Sequence, residues 1–114
     1  MPISIHNSGT RTSLTPPEVG FTVLGSASDT TAGVFQFFID CSNMTSTDEI
    51  SVQILEKVLP GGPQKVVFTS TINGVQSEPI WVSPSLILFN SWQIQVKQTL
   101  GTARTFDWSI RKVA

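Results

Sequence analysis

His6 is the only histidine of the chain, and proton transfer near neutral pH most often falls to that side chain. It lies in residues 1–18, a Ser-, Thr-, Gly- and Pro-rich stretch ending at Pro16-Pro17, where nothing in the sequence would hold a ring at reacting distance. A solvated terminal residue is therefore expected. The single Cys41 follows Asp40 at the end of an apolar run. A nucleophilic thiolate needs a base or a helix N-terminus beside it, and neither is suggested, so a buried structural thiol is expected. No second cysteine or neighbouring histidine offers zinc spacing. The eight carboxylates are Glu18, Asp29, Asp40, Asp48, Glu49, Glu56, Glu78 and Asp107, mostly at turns or strand ends. Two of them facing across about 5 to 9.5 Å would suit glycoside hydrolysis. Asp48-Glu49 could contribute to a calcium site, but EF-hand spacing is absent and Asp48 reads better as the residue that closes a turn. No catalytic residue, metal ligand or cofactor is assigned, and an enzyme is the poorest fit.

The aromatic residues carry a different chemistry. Trp92 and Trp108 belong to inward-facing alternations and are expected in the core. Trp81 sits on a short segment between Pro79 and Pro84, where an exposed indole would anchor a protein interface or stack on a sugar. Asn43-Met44-Thr45 fits the N-glycosylation rule, but the N-terminus lacks the basic start and apolar stretch of a secretory signal, and the triplet is discounted. The chain as given is expected to be made and kept in a cytoplasm.

Seven Lys and Arg against eight Asp and Glu leave a formal charge of -1, which removes the electrostatic case for nucleic-acid or anionic-membrane binding. Charged residues are 13% of the chain, while 14 Ser and 13 Thr supply most of its polarity. A charge-poor surface resists aggregation weakly, so part of it is expected to be covered by subunits of a larger assembly, a homo-oligomer among them. A lone cysteine gives no internal disulfide, and packing must hold the fold. The longest apolar runs, such as Leu86 to Phe89, are far short of a bilayer span.

Positioning falls to strands. After Pro17, Phe21, Val23 and Gly25 are expected to share one face of a first strand. Val34 to Cys41 reads as a central strand with Phe35, Phe37 and Ile39 on one side, and Ile50, Val52 and Ile54 alternate with polar residues. Leu59-Pro60-Gly61-Gly62-Pro63 reads as a hairpin tip before a return strand, Lys65 to Ile72. Pro79 to Ser83 suits an edge position, and residues 92–97 and 105–111 make a C-terminal hairpin. About seven strands without a helical stretch predict an all-β, two-layer antiparallel β-sandwich, with immunoglobulin-like and jelly-roll topologies both open. The domain is expected over residues 19–114, preceded by an extended arm over residues 1–18. That arm could add as a strand to a neighbour's sheet edge, with Ile3, Ile5 and Leu14 filling pockets.

Three stretches together resemble small proteins of tailed bacteriophages and prophages, encoded beside virion structural genes. The first is Thr31-Ala32-Gly33-Val34-Phe35-Gln36-Phe37-Phe38-Ile39-Asp40 with Asn43-Met44, and the second is Ser77-Glu78-Pro79-Ile80-Trp81-Val82-Ser83-Pro84. The third runs from Lys97-Gln98-Thr99-Leu100-Gly101-Thr102 through Ala103-Arg104-Thr105-Phe106-Asp107-Trp108 to Ser109-Ile110. Order and spacing match over about residues 19–112. The stretch before Val19 departs from the pattern, as does Asp107, where a neutral residue or proline is expected. The resemblance implies a non-enzymatic virion component made in the host bacterial cytoplasm. A head decoration or cement protein that binds and staples major capsid subunits comes first, and a tail or neck connector second. A carbohydrate-binding module with Trp81 as its platform is the rival from another class.

Overall fold

Alternation of apolar and polar residues produces nine strands and no helix among residues 3–113, which the computed structural model describes. They are β1 (Ser4–Thr12), β2 (Thr22–Asp29), β3 (Gly33–Asp40), β4 (Glu49–Lys57), β5 (Gln64–Asn73), β6 (Ile80–Val82), β7 (Leu86–Leu88), β8 (Trp92–Leu100) and β9 (Thr105–Lys112). Two antiparallel sheets result, one in the order β1-β9-β3-β6 with β7 also on β3, the other in the order β2-β8-β4-β5. β6 lies against Phe38–Asp40 and β7 against Gly33–Phe35, so the two form one interrupted edge strand. Counted so, the eight strands have the order of a jelly roll, which decides between the two topologies left open by the sequence.

The interruption has a local cause. Pro84 lacks a donor and cannot continue a ladder. Ser83 compensates: its amide donates to Phe37 O (2.9 Å), and its hydroxyl accepts from the Phe37 amide (2.9 Å) while donating to Pro84 O (2.9 Å).

The sandwich interior is filled as the alternation predicts. Phe35, Phe37 and Ile39 from β3 meet Ile50, Val52 and Ile54 from β4, with Trp92, Ile94 and Val96 from β8 and Phe106 and Ile110 from β9, all buried. Each such side chain contributes about 1.5–3 kcal/mol on leaving water. In β2, however, Leu24 turns inward, and Phe21 lies under the Lys97 ammonium, 4.8 Å from its ring centroid. Phe21 and Val23 thus share the outer face of β2, opposite the face of Leu24.

The largest departure concerns the N-terminal segment. Residues 4–12 are not a free arm: β1 pairs with β9 from Ser4↔Lys112 to Thr12↔Thr105. Its inner face carries no apolar alternation. Gly9 lets the Trp108 ring approach, since a Cβ there would stand 3.1 Å from the indole, and Arg11 is buried against Glu18. The connection to β2 is tied down as well, Ser13 N–H donating to Arg104 O (2.8 Å) and Glu18 N–H to Gln98 O (3.0 Å). The boundary placed between residues 18 and 19 therefore separates nothing structural. Met1, Pro2 and Ala114, the outer ends of the two expected segments, lie outside the described residues.

Candidate interaction surface

The chain's ionisable side chains gather at the two ends of the sandwich. At the end formed by the β1–β2, β3–β4 and β8–β9 connections, Asp48 is wholly buried as a side chain. Its Oδ2 accepts from the Thr45 amide (2.8 Å), the Thr45 hydroxyl (3.2 Å) and Arg104 Nε (2.8 Å), and its Oδ1 from the Thr102 amide (3.0 Å). Desolvation works against the charge, but those amides and the Arg104 guanidinium outweigh it and hold the carboxyl below its usual range. Asp48 does close the 45–48 turn, its own amide donating to Thr45 O (3.1 Å).

Glu18 plays a parallel part. Burial raises its pKa, yet Arg11 and the amides of Gln98 and Leu14 bring it below the ordinary value. Gln98, which is fully buried, continues the arrangement by donating to Leu100 O and Thr102 O and accepting from the Arg104 amide. These groups clamp loops together. They hold one another rather than an open site.

At the opposite end His6 is ordered, not solvated. It is the extra residue of a bulge between Ile5 and Asn7, and its Nε2 lies 2.7 Å from Asp29 Oδ2 on the other sheet. Its ring packs 5.2 Å from that of Phe35 and 5.7 Å from that of Trp92. Desolvation opposes the Asp29 charge, but His6 and the Thr31 amide and hydroxyl prevail and lower its pKa. Cys41 is buried as expected, and burial, with the Asp40 charge adding, pushes its thiol up to about 12. Among the described residues no three His, Cys, Asp or Glu side chains gather to hold a metal ion.

The four residues singled out for contact fall apart in space and character. Ile3, Ile5 and Leu14 are exposed, 63% or more each, but Ile5 belongs to a paired strand and Leu14 to the tied β1–β2 connection. Trp81 is not the free anchor expected. Paired with Ile39 on the inward side, it packs against Phe37 (6.4 Å between ring centroids) and Phe68 (6.1 Å). It is half-buried, leaving no free-standing indole platform.

What the sequence reading missed is the outer face of the β1-β9-β3-β6/β7 sheet. Because Phe35, Phe37 and Ile39 point in, Val34 and Phe38 point out, opposite Ile87 and Val82 respectively, while Ile80 stands opposite Asp40 and Ile5 opposite Arg111. Ile87 is 78% exposed, and Ile80 and Val82 are exposed too. The Arg111 guanidinium lies 3.8 Å from the Phe38 ring centroid, covering part of it. A depression of about 300 Å³ runs between Ile5, Phe38, Ile80 and Arg111, with Asp40 and Asp107 at its margin. Both carboxylates are engaged, Asp40 accepting from the Ser42 amide (2.9 Å) and Asp107 from the Thr10 hydroxyl (2.7 Å). Val34 and Phe38, alternating with Gln36 and Asp40 on the outer side of β3, were the sequence signal for this face.

No family model, curated protein or solved structure matches the chain.

Proposed function

We propose that the protein is a non-enzymatic structural component of a tailed-bacteriophage particle, a head decoration protein that sits on the assembled shell and contacts its major capsid subunits. The observation that carries this reading is the apolar outer face built from Ile5, Phe38, Ile80, Val82 and Ile87. A solvated sheet face alternates to polar residues, and side chains of this kind left in water mark a surface covered by a partner. The three stretches that resemble phage virion proteins supply the class of partner. Two of them build this face: Val34 and Phe38 lie in the first, Ile80 and Val82 in the second.

Attachment by a mobile arm has no place in this reading, since β1 is engaged with β9. Contact is made by a rigid face instead, with hydroxyl groups around it forming peripheral hydrogen bonds at a lower desolvation cost than charges. Repetition over a symmetric shell multiplies weak contacts by about 10² to 10⁴ in avidity.

The test is co-sedimentation of the purified protein with head shells of the phage that carries its gene. Shell binding at hundreds of copies supports decoration, whereas a ring of about 6 or 12 copies makes the protein a tail or neck connector. Ile87→Asp, on the exposed face, is expected to weaken shell binding by about tenfold or more without altering the thermal melt. Undiminished binding by that variant would remove the face from the mechanism.

A further inference from the structure

We infer that the protein binds a second copy of itself head to tail, the β4–β5 hairpin tip of one copy entering the depression beside Trp81 of the next. The inference does not depend on the virion reading; it gives Ile80 and Val82 to a neighbouring copy and leaves Ile5, Phe38 and Ile87 of the outer face uncovered.

The tip is a stiff apolar knob. Val58 and Leu59 are 80% and 69% exposed, the turn is closed by Gly62 N–H donating to Leu59 O (3.0 Å), and Gly61 takes the left-handed φ of 79° that glycine allows. Pro60 and Pro63 restrict it further. No charged residue lies between Lys57 and Lys65, which flank the knob on its two strands. An exposed knob of this size, already ordered, loses little freedom on being covered.

A complementary surface exists on the same molecule. Past the far end of β5, Gln76, Ser77, Glu78, Ile80, Trp81 and Val82 enclose a depression of about 390 Å³, inside the range of about 300–1,000 Å³ typical of sites that hold small ligands. Its wall is apolar at Ile80, Trp81 and Val82, and Glu78 supplies a carboxylate for the lysines that accompany the knob. The Gln76 side chain, donating to Asn73 O (2.7 Å) and Gly74 O (3.1 Å), fixes the loop that shapes it.

The knob precedes the start of the ten-residue β5 and the loop of the depression follows its other end, so the two do not meet within a copy. Being different patches they cannot pair isologously either; the contact is heterologous and propagates into a ring or a filament. The charges are arranged for this. Lys57, Lys65 and Lys112 lie toward the knob end against only Asp29 and Glu56, whereas toward the other end six carboxylates outnumber Arg11, Lys97, Arg104 and Arg111. A chain of net charge -1 is thus basic at one end and acidic at the other, and successive copies attract.

Sedimentation velocity of the intact protein over a concentration series tests this, with near-UV circular dichroism as the check on folding. Wild type is expected to assemble, and to do so less at high salt. Leu59→Ser, Glu78→Lys and the pair Lys57→Glu with Lys65→Glu should each weaken assembly by about tenfold, and combining all three charge reversals in one chain should restore it. A folded protein that stays monomeric at every concentration overturns the inference, as does assembly indifferent to both Leu59→Ser and Glu78→Lys. If wild type is monomeric but floats with phosphatidylglycerol vesicles through Leu59, the knob is a lipid anchor and the inference fails. A monomer that still coats head shells sinks the self-association and leaves the proposed function standing.

Discussion

Replacing Asp48 by Asn removes one charge and one acceptor from a side chain with no solvent exposure. If Oδ1 keeps the Thr102 amide, the new NH2 group stands where Oδ2 accepted from the Thr45 amide, the Thr45 hydroxyl and Arg104 Nε. The Thr45 amide and Arg104 Nε lose their acceptor and confront another donor, while the Thr45 hydroxyl can turn to accept; flipping the amide only moves the conflict to Thr102. With about 1 kcal/mol for a neutral hydrogen bond and about 1.5–3 kcal/mol for one to a charged group, the loss comes to about 3 kcal/mol. In a domain of this size that lowers Tm by about 12 °C. The sign of the pH dependence follows from the depressed pKa of Asp48 in the folded state. Its contribution is complete above the ordinary carboxylate pKa and disappears as the pH falls through the lower folded value. Wild type and Asp48→Asn, melted side by side at neutral pH and then in increasingly acidic buffers, should differ most at neutral pH and converge in acid. A neutral-pH difference under about 1 kcal/mol, or a gap that stays constant in acid, would refute the account of this carboxylate as the clamp of that end.

Gly101→Ala should be among the most damaging small substitutions. Gly101 has φ 95°, and a Cβ there would stand 1.9 Å from Asp48 Oδ1, so a loss of about 3 kcal/mol or more is expected in urea unfolding. Deleting residues 1–17 strips β9 of one of its two partners along its whole length and Glu18 of Arg11, which is comparable to the whole stability of about 5–15 kcal/mol expected of such a domain. The truncated chain should show no cooperative melt, and a sigmoidal transition within a few degrees of wild type would show that β1 is dispensable.

Where burial is one-sided and apolar, the strands were readable from the chain alone. Phe35, Phe37 and Ile39, or Ile50, Val52 and Ile54, state their inward face by a period of two, and the structure buries all six. β1 escaped because its inner face is not apolar: Gly9 serves by being small and Arg11 by being neutralised at Glu18, seven residues on. An opposite-charge pair across a double proline was the only hint. β7 escaped because Ser83 and Pro84 break an edge strand into two short pieces, with a hydroxyl substituting for a ladder bond. The topology was unreadable for a more general reason: alternation records which face is buried, not which strand lies alongside. The contact face was missed likewise, since Ile80, Val82 and Ile87 converge only once β6 and β7 are laid against β3.

Cys41 gives this molecule a covalent reporter of its own. The residue is 2% exposed and burial pushes its thiol up to about 12, so a maleimide finds neither access nor thiolate while the sheets are closed. Alkylation therefore counts opening events. Under conditions where reclosing outruns the reagent, the labelling rate divided by that of the unfolded chain is the fraction of molecules open at any moment, read at a single atom without denaturant.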